Sequence, residues 1–274
     1  MVRKGLTIGL ALGGALALAL PASAADFTWQ MSSGSNCSSA SIGTASCDWG
    51  NTRTYGASPG SGPNLTASAW AFTGDVGGTN NTLQNAYLAV YGGGLGITNR
   101  DRGSASGQDA NEGHGFEPEH GVDSNQRYEL VKIEFGGATP IALKQVQVNY
   151  VSNDSDISVF YYPTALGAPP SLDTKDLVGD GWQLLGNFEG DSSANNFYNF
   201  NASGTVSSRF WLVATYLPAF ASGCATCDGG DDKFKLYAVA GSTSNGKVPE
   251  PGTALLLGVA ALGLWRSARR RQSA

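Results

Sequence analysis

A chain of 274 residues with 22 acidic against 17 basic side chains, and a formal net charge of −5, lacks the basic footprint expected of a nucleic-acid-binding protein. Only 14% of its residues are charged, while 38 glycines, 11 prolines and many Ser, Thr and Asn divide it into short segments, which argues against long amphipathic helices and coiled coils. Both ends are apolar runs next to basic residues, and both are set apart from the fold.

In chain order, Arg3 and Lys4 come first, residues 5–20 form a Leu/Ala/Gly-rich apolar run, and Pro21 ends it before Ala22-Ser23-Ala24. A basic start, a short apolar run and small residues at Ala22 and Ala24 make up a secretory signal. Residues 1–24 are therefore expected to engage the Sec translocon and to be removed by cleavage after Ala24. About 225 residues then remain, enough for one large β domain or two small ones.

The domain expected over residues 25–241 opens with an aromatic strand candidate, Phe27-Thr28-Trp29-Gln30. Residues 65–73 alternate with period two, and residues 82–90 do so again through Leu83, Ala86, Leu88 and Val90. Such alternation marks half-buried strands. Gly92-Gly93-Gly94 and Leu95-Gly96-Ile97 follow. Strand patterns run over 127–135 and 141–150, and Gly136-Gly137-Ala138-Thr139-Pro140 between them suits a hairpin. Further strands are expected at 157–162, 182–188, 198–200, 208–216 and 233–240, with one helical turn over 172–177. The total, roughly nine to eleven short strands without repeats or heptads, predicts an all-β, antiparallel sandwich or jelly-roll-like single domain. A polar linker at 242–247 leads into the tail.

The cysteines Cys37, Cys47, Cys224 and Cys227 form an even set, which in an exported chain suggests disulfides. Of the three pairings they allow, proximity in sequence favours Cys37–Cys47 and Cys224–Cys227. A redox role for Cys224-Ala225-Thr226-Cys227 would need a strand feeding a helix at the first cysteine. Glycines flank this motif, so a loop and a structural staple are expected instead.

Three constellations offer chemistry. His114, Glu117 and His120 carry zinc-type donors within the longest polar stretch, residues 99–125, which also holds Asp101, Asp109, Glu112, Glu119 and Asp123. Pro118 rules out the helical His-Glu-x-x-His geometry, so hydrogen bonds from His120 and Asp123 to the next strand are the expected role. Asp154 and Asp156 in one loop, and Asp231 and Asp232 in another, supply the oxygen ligands that calcium takes, although neither loop has the EF-hand pattern and turn formation alone explains Asp and Asn there. A structural calcium is thus the one cofactor considered, and no resident cofactor is expected. Glu117 with Glu119 is a weak carboxylate pair for glycoside hydrolysis. Trp49, Trp70, Trp182 and Trp211 would make a sugar-stacking face if exposed, but three of them lie within strand patterns and are expected in the core.

The tail is the most specific stretch. Pro249-Glu250-Pro251 precedes an apolar run over 253–265 and then Arg266, Arg269, Arg270 and Arg271. The run is short for a bilayer that takes roughly 20 residues, and tilt or thinning absorbs the mismatch. Arginines stay on the cytoplasmic side, which places everything before Pro249 outside. This order resembles the PEP-CTERM sorting signal of Gram-negative bacteria, here over residues 248–274. The resemblance implies transient inner-membrane anchoring, cleavage near Pro249-Glu250-Pro251 by exosortase, a membrane-embedded cysteine peptidase, and release or transfer to the cell surface. The segments at 86–96, 119–125, 154–157 and Gly181-Trp182 also resemble a family of exosortase-dependent surface proteins. That likeness implies a surface or extracellular-matrix role and supplies no catalytic residues. The alternative readings are a carbohydrate-binding module that contacts the cell's own exopolysaccharide and, third, a secreted hydrolase using the Glu117–His120 region.

Overall fold

A computed structural model describes residues 26–33, 49–72, 82–91, 93–100, 121–124, 127–172, 176–220, 223–228 and 232–243. The signal segment 1–24 with Ala22 and Ala24, the cysteines Cys37 and Cys47, the residues His114, Glu117, Glu119 and His120, Asp231, and the tail with Pro249, Glu250 and Pro251 lie outside the described residues. Among the described residues no helix is long and apolar enough to cross a membrane. One compact unit spans Ala25–Ser244.

The strands in chain order are β1 (Asp26–Gln30), β2 (Thr52–Tyr55), β3 (Leu65–Phe72), β4 (Leu83–Asn85), β5 (Tyr87–Tyr91), β6 (Gly94–Thr98) and β7 (Val122–Asp123). They continue with β8 (Glu129–Phe135), β9 (Ile141–Asn149), β10 (Ile157–Tyr161), β11 (Gln183–Phe188), β12 (Asn195–Asn199), β13 (Phe210–Thr215) and β14 (Lys233–Thr243). They form two sheets: β12-β9-β14-β6-β5, with β1 and β7 also on β14, and β11-β10-β13-β8-β3-β2, with β4 on β3. Every ladder is antiparallel. The all-β expectation therefore holds, as two antiparallel sheets around a shared core.

That core takes the inward set of each strand. Val131, Ile133 and Phe135 of β8, Trp211 and Val213 of β13, and Ile157 and Val159 of β10 meet Val146, Val148, Leu236 and Val239 of the other sheet. The alternate residues Leu130, Phe160, Phe210, Leu212 and Ala214 join a second cluster, covered by Leu172, Leu177, Trp182 and Leu217 from the intervening loops. The second sheet is thus buried on both faces at its centre. This explains why β13 reads as an unbroken apolar run rather than an alternating one.

Three sequence expectations are corrected. The pattern over 82–90 is two strands: β4 pairs with β3 in one sheet, and β5 pairs with β6 in the other. The crossing falls at Ala86, whose N–H donates to Ala69 O and whose carbonyl accepts from Gly50 N–H. Next, β8 and β9 are not a hairpin, because β8 lies between β3 and β13 while β9 lies between β12 and β14. The Gly136–Pro140 segment carries the chain between layers so that both strands bury an apolar face. Finally, β14 continues through Thr243, so Ser242 and Thr243 belong to the sheet rather than to the 242–247 linker. Residues 173–175 of the helical turn expected over 172–177 lie outside the described residues; just beyond it, residues 177–181 form a turn closed by Asp180 N–H on Asp176 O and Trp182 N–H on Leu177 O.

The first strand ties the two layers together. Trp29 is fully buried, donates from Nε1 to Pro63 O at 2.8 Å, and lies 4.6 Å from the Phe135 ring across the core. Trp29→Ala should destabilise the protein by about 3–5 kcal/mol, because the cavity opens where both sheets meet. At this size that is a fall of about 10 °C in Tm. A melting temperature within about 2 °C of the parent would show that β1 lies outside the cooperative unit.

Candidate functional site

Two loops far apart in the chain converge where β10 and β14 begin. Asn153 adopts a left-handed φ of 66°, which Asn tolerates, and the chain reverses tightly, with Asp154 N–H on Ser152 O at 3.0 Å. The reversed segment pairs with the start of β14: Ser152 N–H donates to Lys233 O and Lys233 N–H to Asp154 O, both at 2.9 Å. Asp154 and Asp232 are therefore bridge partners in parallel. Asp156 N–H donates to Asp232 Oδ1 at 2.9 Å across 76 residues of sequence. As a result one carboxylate oxygen from each of Asp154, Asp156 and Asp232 lies within 4.8 Å of the others.

The trio is enclosed. Asp156 and Asp232 are fully buried, and Asp154 is half-buried. Asp156 Oδ1 accepts from Gly190 N–H at 2.7 Å, and Oδ2 accepts from Asp228 N–H at 2.9 Å. Asp154 Oδ1 accepts from Ser155 N–H at 2.6 Å. Asp232 Oδ2 is buried and has no hydrogen-bond partner. Beneath the trio, the buried Tyr198 hydroxyl of β12 donates to Ser155, with Oγ at 2.7 Å. Gly190 is required by close approach, since a Cβ there would stand 2.3 Å from Ser155 Oγ and 2.5 Å from the Tyr198 oxygen.

Electrostatics follow from this enclosure. Two like charges 4 Å apart repel by about 4 kcal/mol at an effective dielectric of about 20, so full ionisation of all three acids is opposed. Burial, reinforced by the charges of Asp156 and Asp154, pushes the Asp232 carboxyl up to about 8. Burial likewise raises Asp156 to about 6, against the two backbone N–H bonds that favour its charged form. The charges that raise Asp232 are those of Asp156, Asp154 and Asp228, all negative.

The second cysteine pair borders this site. Cys224 and Cys227 form a disulfide in a loop between β13 and β14, with Cys227 N–H on Cys224 Sγ at 3.2 Å. Next to it, Asp228 N–H reaches Asp156, and Thr226 Oγ1 donates to Glu189 Oε2 at 2.6 Å. The loop closed by the disulfide is thus pinned to the acidic cluster. The sequence showed the two Asp loops but not that they meet. The accessory groups Gly190, Ser155 and Tyr198 escaped notice because a lone Gly, Ser or Tyr carries no motif.

Other expectations divide. Trp182 and Trp211 are buried in the core. Trp70 is half-buried against the outer cluster and donates from Nε1 to Ser68 Oγ at 3.1 Å. Trp49 is half-buried beneath the Arg100 guanidinium, 5.4 Å from its ring. Trp70, Gln84, Asn85, Arg100 and Ser171 line a cleft of about 290 Å³. A second cleft of about 390 Å³ is lined by Glu189, Gly190, Asp191, Asn196, Phe197 and Tyr198, beside the acidic trio. Asp123 lies in β7, where its N–H donates to the buried Glu129 Oε2 at 3.2 Å, so the end of the polar stretch is anchored on β8.

Residues 247–271 match the PEP-CTERM protein-sorting motif. The motif implies exosortase as the processing partner, with export and membrane-transit sorting toward the cell surface. No curated protein matches the chain. Among solved structures, one titled as the structure of allantoicase aligns at 13% identity over 42% of this chain and 32% of its own, with a TM-score of 0.28. The chain thus spans about a third of that protein, and so partial a likeness carries no argument about fold or activity.

Protonation of Asp232 gives a test with a definite sign. Its folded pKa lies above its unfolded value, so the folded state holds a proton that the unfolded chain releases. This contribution is present below about pH 4 and is lost as pH rises through about 8. Asn mimics the protonated acid. With divalent cations removed, the stability of Asp232→Asn relative to the parent should therefore increase steadily between about pH 4 and pH 8, read from urea midpoints. A pH-independent difference would show that Asp232 is ionised throughout.

Proposed function

We propose that the chain is an exported cell-surface or extracellular-matrix protein of a Gram-negative bacterium, with no catalytic activity of its own. It enters the Sec translocon by residues 1–24, is held briefly in the inner membrane by the tail, and is cut by exosortase near Pro249-Glu250-Pro251. The observation that carries this reading is the PEP-CTERM motif at residues 247–271. The β domain agrees with such a route: its strands pair into two packed sheets, and the disulfide at Cys224–Cys227 belongs to an oxidising compartment. The motif residues act as another enzyme's substrate. Mass spectrometry of the mature protein should find a chain that starts at Ala25 and ends near Pro249. An intact C-terminus containing Trp265 would defeat the sorting claim.

A second reading, binding of exopolysaccharide, is favoured by one feature. The cleft at Trp70 combines an aromatic ring with the amide side chains of Gln84 and Asn85 and the Arg100 guanidinium. A ring that stacks on a sugar face, with polar groups for its hydroxyls, is the usual makeup of a carbohydrate site. On a glycan array the purified protein should retain a polysaccharide, and Trp70→Ala should reduce retention about tenfold, since such a stack contributes about 1–1.5 kcal/mol. Retention unchanged by that substitution would exclude this cleft.

A further inference from the structure

We propose that Asp154, Asp156 and Asp232 bind a single calcium ion that joins the loop before β10 to the start of β14. The inference goes beyond the sorting function and does not depend on it. Two separate observations point to a cation. One is the geometry of the acids: three carboxylate oxygens within 4.8 Å of one another. Calcium holds oxygens at 2.3–2.6 Å, so opposite ligands of one ion lie about 5 Å apart, and the trio fits that span. The other is Asp232 itself. Its Oδ1 is satisfied by Asp156 N–H, whereas Oδ2 is buried without a partner in a residue that is 0% exposed. A buried carboxylate oxygen left without a donor is a costly arrangement, and a cation among these oxygens removes the cost.

The ligand chemistry selects the ion. All three side chains offer oxygen, which suits a hard cation and not the N/S preference of zinc. Magnesium keeps several waters and requires near-ideal octahedral geometry, which a largely buried site does not favour. Calcium accepts irregular sets of 6–8 oxygens, so backbone carbonyls and a few waters complete the shell on the side of half-buried Asp154. Both Asp156 oxygens already accept backbone N–H bonds from Gly190 and Asp228, which fixes that carboxylate before an ion arrives. Through Asp156 the ion would also hold the loop at Gly190 and the disulfide loop at Asp228. Four segments are thus brought under the control of one ligand.

Equilibrium dialysis and thermal unfolding of the purified full chain, stripped with chelator, test the proposal. One calcium per chain should bind, with an affinity in the range of extracellular calcium modules, about 0.1–1 mM, and Tm should rise saturably over the same concentrations. Magnesium at about 10 mM should give less than a tenth of the response. Asp232→Asn should weaken binding at least tenfold while its chelated form melts no lower than the chelated parent, because Asn is neutral and places no charge in the buried cluster. This pairing separates loss of a ligand from loss of the fold. Asp154→Asn, at the half-buried position, serves as the second variant and should also weaken calcium binding. No calcium bound at about 10 mM, an equal response to magnesium, or calcium binding unchanged in both variants would overturn the proposal.

Discussion

The architecture depends on the ladder that β14 makes. This strand pairs with β9 along its length, with β1 near its C-terminal end, and with β6 and β7 near its N-terminal end. Removing it would take from β1 and β7 the strand they pair with and would strip Leu236 and Val239 from the shared core. The positions where β14 shifts register against β9, between Leu236 and Ala238 and again between Ala240 and Gly241, let one strand serve partners on both edges. Gly94 is a related adjustment on β6, with a φ of 125° and a Cβ position only 2.5 Å from Leu236 O. A side chain there would push β6 off the central strand.

The same ladder assembles the acidic site. Pairing of Lys233 with the Ser152–Asp154 reversal delivers Asp232 to Asp156, so the main-chain bonds that begin β14 also bring three carboxylates together. Burying like charges is unfavourable, and the cluster persists because backbone hydrogen bonds around it are numerous and geometrically tied to the two sheets. Tyr198 from β12 and Gly190 from the β11–β12 connection complete the enclosure, which couples the outer edge of the first sheet to the edge of the second.

Localisation and architecture occupy different parts of the molecule. The sorting motif at residues 247–271 is a linear signal that implies exosortase as its processing partner. The β domain is built for persistence: two sheets, an outer sheet face covered by loops, and a disulfide beside a buried polar cluster. Among the described residues it carries clefts at Trp70 and at Glu189 and an acidic centre at Asp154, Asp156 and Asp232.

Much of this was legible from residues alone, for physical reasons that are local. Period-two alternation at 65–72 and 141–149 named β3 and β9 because one face of each is buried, and Pro-Glu-Pro before an apolar run and four arginines named the tail because its reader is itself sequence-specific. The Cys224–Cys227 pairing, favoured among three by proximity in sequence, is the one that forms. Sheet membership was not legible. Alternation says that a strand has a buried face but not which layer it joins, so the crossing at Ala86 and the split of β8 from β9 appeared only once both cores were filled. The acidic site was half legible: Asp154-Ser155-Asp156 and Asp232 stood out as separate oxygen-rich loops. Their meeting is a product of long-range pairing between Asp154 and Asp232, and no local pattern encodes a contact that only the closed sheet creates.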